Sequence, residues 1–222
     1  MLDKKSLARL IDHTLLRADA TRDDIRRLCQ EAKKFDFWSV CVNPTYVRLA
    51  TEVLKRTGVK VCSVVGFPLG ASVSKVKAFE AENAVIDGAR EIDMVINIGA
   101  LRSRDHELVR RDIQEVVDRV KGLEKSTVVK AIIEASLLTR NEKVLACKLV
   151  KEAGADFVKT STGFNGSGAT VDDVRLMRTV VGPNFGVKAA GGIKTYLDAM
   201  TLIKAGANRI GTSSGVQIVG EK

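Results

Sequence analysis

Short β-branched runs with polar ends recur along the chain, each followed by a small or polar loop and then an amphipathic stretch with apolar residues at three- and four-residue steps. The runs fall at 10–14, 38–42, 59–66, 91–97, 128–134, 157–160, 186–189 and 209–211, which predicts eight strands. Between them Leu108, Val109, Ile113, Val116, Val117 and Val120 share one helical face, and 142–153 and 171–180 repeat the pattern. Thr21 is placed to cap a helix through Ile25, Leu28 and Cys29, and Ser74 one through Val76, Phe79 and Ala84. Gly58, Gly88, Gly122, Gly154 and Gly206 read as helix ends, because glycine accepts the left-handed conformation that stops a helix. The last helix, 214–219, is short.

Strict alternation of strand and helix requires a parallel sheet with right-handed crossovers. Eight such units in 222 residues, with polar residues gathered at the strand C-terminal ends, predict one domain over 1–222: an α/β, single (β/α)8 TIM barrel preceded by an extra N-terminal helix. A doubly wound sheet is the alternative, but its Gly-rich turn after the first strand is missing.

In a closed barrel alternate strand residues point inward. On the fourth run that parity groups Asp93, Val95 and Asn97, leaving Ile92, Met94 and Ile96 to pack under helices. The same parity groups Lys130, Ile132 and Glu134, then Phe157, Lys159 and Ser161, then Gly186, Lys188 and Ala190. Three lysines and an aspartate inside a core cost too much to be filler unless they are paired or used. A lysine amine attacks a carbonyl only when neutral, so its usual pKa of about 10.4 must come down, and a second ammonium or desolvation does that. Lys159 and Lys188 occupy matching places on consecutive strands, one as nucleophile and the other as its charged neighbour, with Asp93 to hold or relay a proton.

Three loops follow the last three strands: Ser161-Thr162-Gly163, Gly191-Gly192-Ile193-Lys194 and Gly211-Thr212-Ser213-Ser214. Glycines let backbone N–H groups close on an anion, and the loops after strands seven and eight are where this architecture holds phosphate.

Composition narrows the partners. There are 36 Lys+Arg against 27 Asp+Glu, a formal charge of +9, which favours an anionic ligand. Aromatic residues make up 5%, too few for nucleic-acid stacking platforms. Cys29, Cys41, Cys62 and Cys147 include no C-x-x-C pair, and His13 and His106 are far apart, so no metal site is expected. No signal peptide or membrane-length apolar run is recognisable, and a soluble, cytoplasmic protein without nucleic-acid or membrane partners is the expectation. If Asp12 faces inward, His13 faces the helices and is structural. Trp38 and Phe67 read as packing residues, and Cys41 as a small pocket wall without a base to activate it.

These residues resemble the deoxyribose-phosphate aldolase family over nearly the whole chain. Asp156-Phe157-Val158-Lys159-Thr160-Ser161-Thr162-Gly163 is similar to its Schiff-base strand, and Gly186-Val187-Lys188-Ala189-Ala190-Gly191-Gly192-Ile193 to its second-lysine strand. Glu91 to Asn97, Ile11-Asp12-His13-Thr14-Leu15-Leu16, Val40-Cys41-Val42-Asn43-Pro44 and Arg209-Ile210-Gly211-Thr212-Ser213 also match. The resemblance implies reversible cleavage of 2-deoxy-D-ribose 5-phosphate to D-glyceraldehyde 3-phosphate and acetaldehyde, without metal or organic cofactor, in deoxyribose phosphate catabolism. It implies that Lys159 forms the imine, Lys188 lowers its pKa, and Asp93 works with Lys188 in a water-borne proton relay. Asp12, Cys41, Lys130 and Thr160 would bind or line the substrate site, and Gly163, Gly191, Gly192, Gly211, Ser213 and Ser214 would take the phosphate. A homodimer or homotetramer is implied as well. Phe164 stands where many relatives have Lys, which leaves Lys194 to supply that charge, and the Tyr-bearing tail of some relatives has no counterpart at Glu221-Lys222. The competing readings are another Schiff-base aldolase, marked by ketone donors, and a basic nucleic-acid binder, marked by salt-sensitive binding.

Overall fold

The computed structural model describes residues 2–220, so Glu221 and Lys222, with the expectation about the tail, lie outside the described residues. Eight parallel strands close in sequence order into a barrel. They are β1 (Ile11–Leu15), β2 (Ser39–Val42), β3 (Lys60–Val65), β4 (Glu91–Val95), β5 (Val128–Ile132), β6 (Phe157–Lys159), β7 (Gly186–Ala190) and β8 (Arg209–Thr212). The helices are α1 (Lys4–Ala8), α2 (Arg22–Phe35), α3 (Val47–Val53), α4 (Ser74–Ile86), α5 (Ile98–Arg102), α6 (His106–Leu123), α7 (Arg140–Glu152), α8 (Val171–Val181), α9 (Tyr196–Lys204) and α10 (Gly215–Gly220). The expected N-terminal helix is α1. Between strands and helices lies a continuous apolar shell that includes Ile11, Val40, Ile92, Met94, Ala131, Val158, Val187 and Ile210, all buried.

Local chemistry explains where the helices begin. Thr21, Thr139 and Thr195 each cap a helix and are answered by an acid three residues on (Asp24, Glu142 and Asp198), so two backbone donors are satisfied reciprocally. α7 therefore starts at Arg140, before the 142–153 segment expected from the apolar pattern.

Several expectations are corrected. The cap of α4 is Val73, without a side-chain bond, and Ser74 is its first helical residue. Val76 and Phe79 face outward, 53% and 63% exposed, while Lys77, Ala78, Ala81, Ala84 and Val85 are buried. Apolar residues occupy both sides of this helix, so periodicity alone could not choose the buried face. Gly88, Gly154 and Gly206 do follow helices with positive φ, but Gly122 lies within α6 and Gly58 is well past α3. β3 to β6 end one or two residues earlier than expected, whereas β1, β7 and β8 run one residue further. Asn97 has left β4 and caps α5 through Ala100 N–H, and Glu134 has left β5 for the left-handed region at φ 50°.

Lys77 reaches from α4 across the shell to Asp112 on α6, Nζ to Oδ2 2.6 Å, and also donates to the Val95 carbonyl at the end of β4. Burial pushes the Lys77 ammonium down and the Asp112 carboxyl up, the direction expected of a desolvated ion pair. Removing one partner of such a pair leaves a buried charge and costs about 3 kcal/mol or more. Lys77→Met is expected to lower Tm by roughly 6–12 °C, at about 2–4 °C per kcal/mol for a chain of this size. The double variant Lys77→Met with Asp112→Leu should regain most of that in a calorimetric scan. An equal or larger loss in the double variant would show that the pair itself stabilises the α4–α6 contact.

Candidate active site

Every strand sends an ionisable side chain into the barrel: Asp12 from β1, Cys41 from β2, Cys62 from β3, Glu91 and Asp93 from β4, Lys130 from β5, Lys159 from β6, Lys188 from β7 and Arg209 from β8. Register brings the partners level. Asp93 sits beside Lys130, and Lys159 beside Lys188. Gly186 is small because the Phe157 ring fills its side; a Cβ there would lie 2.2 Å from the ring.

Six of these groups form a closed ring of alternating charge. Arg209 Nη1 lies 3.0 Å from Asp12 Oδ1, and Asp12 Oδ2 lies 2.5 Å from Lys188 Nζ. Lys188 Nζ lies 2.7 Å from Asp93 Oδ2, and Asp93 Oδ1 lies 2.8 Å from Lys130 Nζ. Lys130 Nζ then lies 2.5 Å from Glu91 Oε2, which returns to Arg209 Nη1 at 3.1 Å. Lys159 is the seventh member. Its Nζ hangs on Asp93 Oδ2 at 2.7 Å, the oxygen that also takes Lys188.

Burial opposes charge at Asp12, Asp93, Lys130, Lys188 and Arg209, and their neighbours overcome it. Lys130, Lys159 and Lys188 together hold the Asp93 carboxyl well below the carboxylate range, and Lys188 and Arg209 do the same for Asp12. Asp12 and Asp93 hold the Lys188 ammonium above its usual value, and Asp93, Cys62 and Glu91 hold Lys130 well above it. Lys188 is therefore not a bare cation set against Lys159, as the sequence suggested; its charge is matched by two carboxylates. Burial pushes the Cys62 thiol well up, and its Sγ lies 3.2 Å from Asp93 Oδ1. Cys41 is shifted down, chiefly by its hydrogen bond with Cys62. Cys41, Cys62 and Asp93 could offer donor atoms within 4.8 Å of one another, but both Asp93 oxygens are already engaged by ammonium groups.

Above the ring opens a cavity of about 310 Å³. Lys159 forms its floor, with Gly163, Gly191, Gly192, Gly211 and Ser213 around it, as expected, together with Lys194. Thr162, from the first of the expected anion-binding loops, also lines it, as do Arg17 and Thr14, which were not anticipated. Asp12, Cys41, Asp93, Lys130 and Lys188 lie beneath the floor, outside the lining. Thr160 is buried and clips β6 to β7, donating to the Ala190 carbonyl and accepting from Ala190 N–H; it does not reach the cavity. Ser214 is also outside the lining, with its N–H given to Thr212 Oγ1.

The glycines are needed where loops meet. Gly191 has φ 90°, and a Cβ on the facing Gly168 would lie 2.0 Å from the Gly191 carbonyl oxygen. Only two glycines let these backbones touch. The helix end beyond is already used, since Asp198 accepts from the N–H groups of both Lys194 and Thr195.

A further clamp escaped the sequence reading. Glu134 is buried and accepts from the Thr162 N–H and hydroxyl and from Asn165 Nδ2. Phe164, where many relatives carry Lys, packs edge-on against Phe67, ring centroids 5.2 Å apart. The 162–165 loop is thus tied to β5 on one side and to the β3 loop on the other. His13 stays outside the barrel, buried against Phe37 and bonded to Glu31, as expected of a structural residue. Trp38 is more than packing: its Nε1 donates to Glu91 and its ring faces Arg209 at 4.4 Å.

This arrangement has close relatives. A model of the DeoC/LacD family aldolases matches residues 7–220. A deoxyribose-phosphate aldolase from Geobacillus sp. (strain WCH70) is 59% identical over 216 residues, 97% of this chain and 96% of that one. Its counterpart from Thermococcus kodakarensis is 60% identical over 220 residues, 98% and 97% of the two chains. The tetrameric deoxyribose phosphate aldolase from Aeropyrum pernix superposes with a TM-score of 0.91 at 37% identity, covering 98% of this chain and 91% of that one. With such identity over the full barrel, this chain belongs to the DeoC/LacD aldolases and, among them, to the deoxyribose-phosphate aldolases.

Proposed function

We propose that this aldolase works through a Schiff base on Lys159 and reversibly cleaves 2-deoxy-D-ribose 5-phosphate to D-glyceraldehyde 3-phosphate and acetaldehyde. The observation that carries the reading is that, of the three lysine amines bound to Asp93, Lys159 alone lines the cavity. The neutral amine adds to C1 of the open-chain sugar, and loss of water leaves a cationic imine. Removal of the C3 hydroxyl proton then breaks the C2–C3 bond, releasing glyceraldehyde 3-phosphate while the electron pair moves into the enamine. Protonation at C2 and addition of water free acetaldehyde and return the amine. Asp93, with Lys188 beside it, is the group that trades protons with the floor of the cavity, through water. Asp12 and Lys130 hold that pair, and Cys41 walls it from below.

Phosphate would lie against Gly163, Gly191, Gly192, Gly211 and Ser213, with Lys194 and Arg17 supplying positive charge at the rim. Deoxyribose phosphate catabolism in the cytoplasm follows from that substrate. No described helix is long and apolar enough to cross a membrane. A homodimer or homotetramer is supported by the Aeropyrum tetramer and by an exposed apolar strip of Leu69, Val73, Val76, Phe79 and Ile86 on and before α4.

Borohydride reduction in the presence of acetaldehyde should leave an ethyl group on Lys159, read by peptide mass spectrometry, and none in Lys159→Ala. An adduct on other lysines in both proteins would contradict the mechanism. Lys194→Ala should raise KM for the phosphorylated sugar roughly tenfold, the value of about one charge-assisted hydrogen bond, with kcat nearly unchanged. The same substitution should leave kinetics with unphosphorylated deoxyribose unaltered; an equal effect on both sugars would remove Lys194 from the phosphate site.

A further inference from the structure

Counting charge around the ring singles out one member. Asp12, Asp93 and Glu91 supply three negative charges, and Lys130, Lys188 and Arg209 supply three positive ones, so the closed ring is neutral by itself. A protonated Lys159 adds a fourth buried cation with no carboxylate of its own, since it shares Asp93 Oδ2 with Lys188. Each of the other cations touches two carboxylates: Asp12 and Asp93 for Lys188, Asp93 and Glu91 for Lys130, Asp12 and Glu91 for Arg209.

We propose that Glu91 and Arg209, which close this ring at the end of the barrel remote from the cavity, are positioning residues of the reaction: by completing a neutral ring they leave Lys159 as the surplus cation, the amine that gives up its proton. The inference rests on Lys159 being the nucleophile. Neither residue lines the cavity. Arg209 is suited to the task because a guanidinium keeps its charge at any working pH. It is held in place between aromatic faces, 4.4 Å from the Trp38 ring and 5.4 Å from Phe157, and Trp38 Nε1 fixes Glu91 at 2.5 Å. Glu91 acts on Lys159 by way of Lys130 and Asp93, and Arg209 by way of Asp12, Lys188 and Asp93.

Among the described residues, no other carboxylate or cation near Lys159 forms an ion pair with it or with a member of the ring. Cys62 on β3 is held in the thiol form by burial, and Cys41 on β2 pairs with it. Glu134 above β5 is occupied by Thr162 and Asn165. Arg17 lines the cavity already paired with Asp19 and Asp24, and Lys194 is exposed at the rim.

The test is the pH dependence of reductive trapping of acetaldehyde on Lys159, measured as a rate by mass spectrometry in wild type, Glu91→Gln, Arg209→Met and the double variant. Glu91→Gln removes a negative charge, disfavours protonation of Lys159 and moves the acid limb to lower pH. Arg209→Met removes a positive charge, lets Lys159 serve as the third balancing cation and moves the limb to higher pH. Each displacement should be about one pH unit, a roughly tenfold change in trapping rate on the limb, and the double variant should return close to wild type. Coincident limbs, or limbs moving the same way in both variants as generalised damage would move them, overturn the proposal. Absence of any Lys159 adduct in wild type would overturn the Schiff-base reading first and this inference with it. Should the variants fail to fold, ε-¹⁵N lysine spectra of the wild type decide. The proposal expects Lys130 and Lys188 to keep ammonium signals while Lys159 alone becomes neutral as pH rises, and loss of the proton first at Lys130 or Lys188 overturns it.

Discussion

A barrel whose interior carries seven charged side chains stands or falls by how those charges are paired. Asp93 is the keystone, because its two oxygens hold Lys130, Lys159 and Lys188 together at 2.7–2.8 Å. Without it, three ammonium groups would share a water-poor interior. With it, and with Asp12, Glu91 and Arg209 completing the alternation, the desolvation cost of each of the six ring members is offset by close partners on both sides. The apolar shell between strands and helices supplies the stability of the fold and leaves the interior free to carry chemistry.

The division of labour follows the strand direction. Near the strand starts, Arg209, Glu91 and Trp38 form a fixed polar base. At mid-height Asp93 links the lysines. At the strand C-terminal ends Lys159 alone of the three lysines meets the cavity, and the loops above it are rich in glycines and hydroxyls. Glu134 and the Phe67–Phe164 contact hold the loop that follows Lys159 from both sides.

Much of this was legible from period-two alternation, because parity alone sends Asp93, Lys130, Lys159 and Lys188 to one side of their strands. The cavity glycines were legible too, since they follow the last three strands directly. Glu91 and Arg209 were not, because each stands first in its strand and reads as a polar strand end; their pairing with each other depends on closure of the barrel across 118 positions of sequence. Trp38 looked like packing for the same reason. Thr160 looked like a ligand residue because it follows Lys159, but parity turns it away from the interior and toward Ala190. Glu134 was placed on the inward face of its strand, whereas the chain has already turned out of β5 there, and only the loop of another unit reveals its use. On α4 both helix faces carry apolar residues, and the buried one is the face that holds Lys77, paired with Asp112 of a distant segment.

The central claim, that one surplus cation at the floor of this cavity becomes the covalent partner of the sugar, is tested most directly by a crystal structure of the enzyme soaked with 2-deoxy-D-ribose 5-phosphate. The account predicts continuous density from Lys159 Nζ to C1 of the open-chain sugar, with the phosphate among Gly163, Gly191, Gly192 and Ser213. An intact, unattached sugar with Lys159 still bound to Asp93, or a covalent bond to any other lysine, would contradict it.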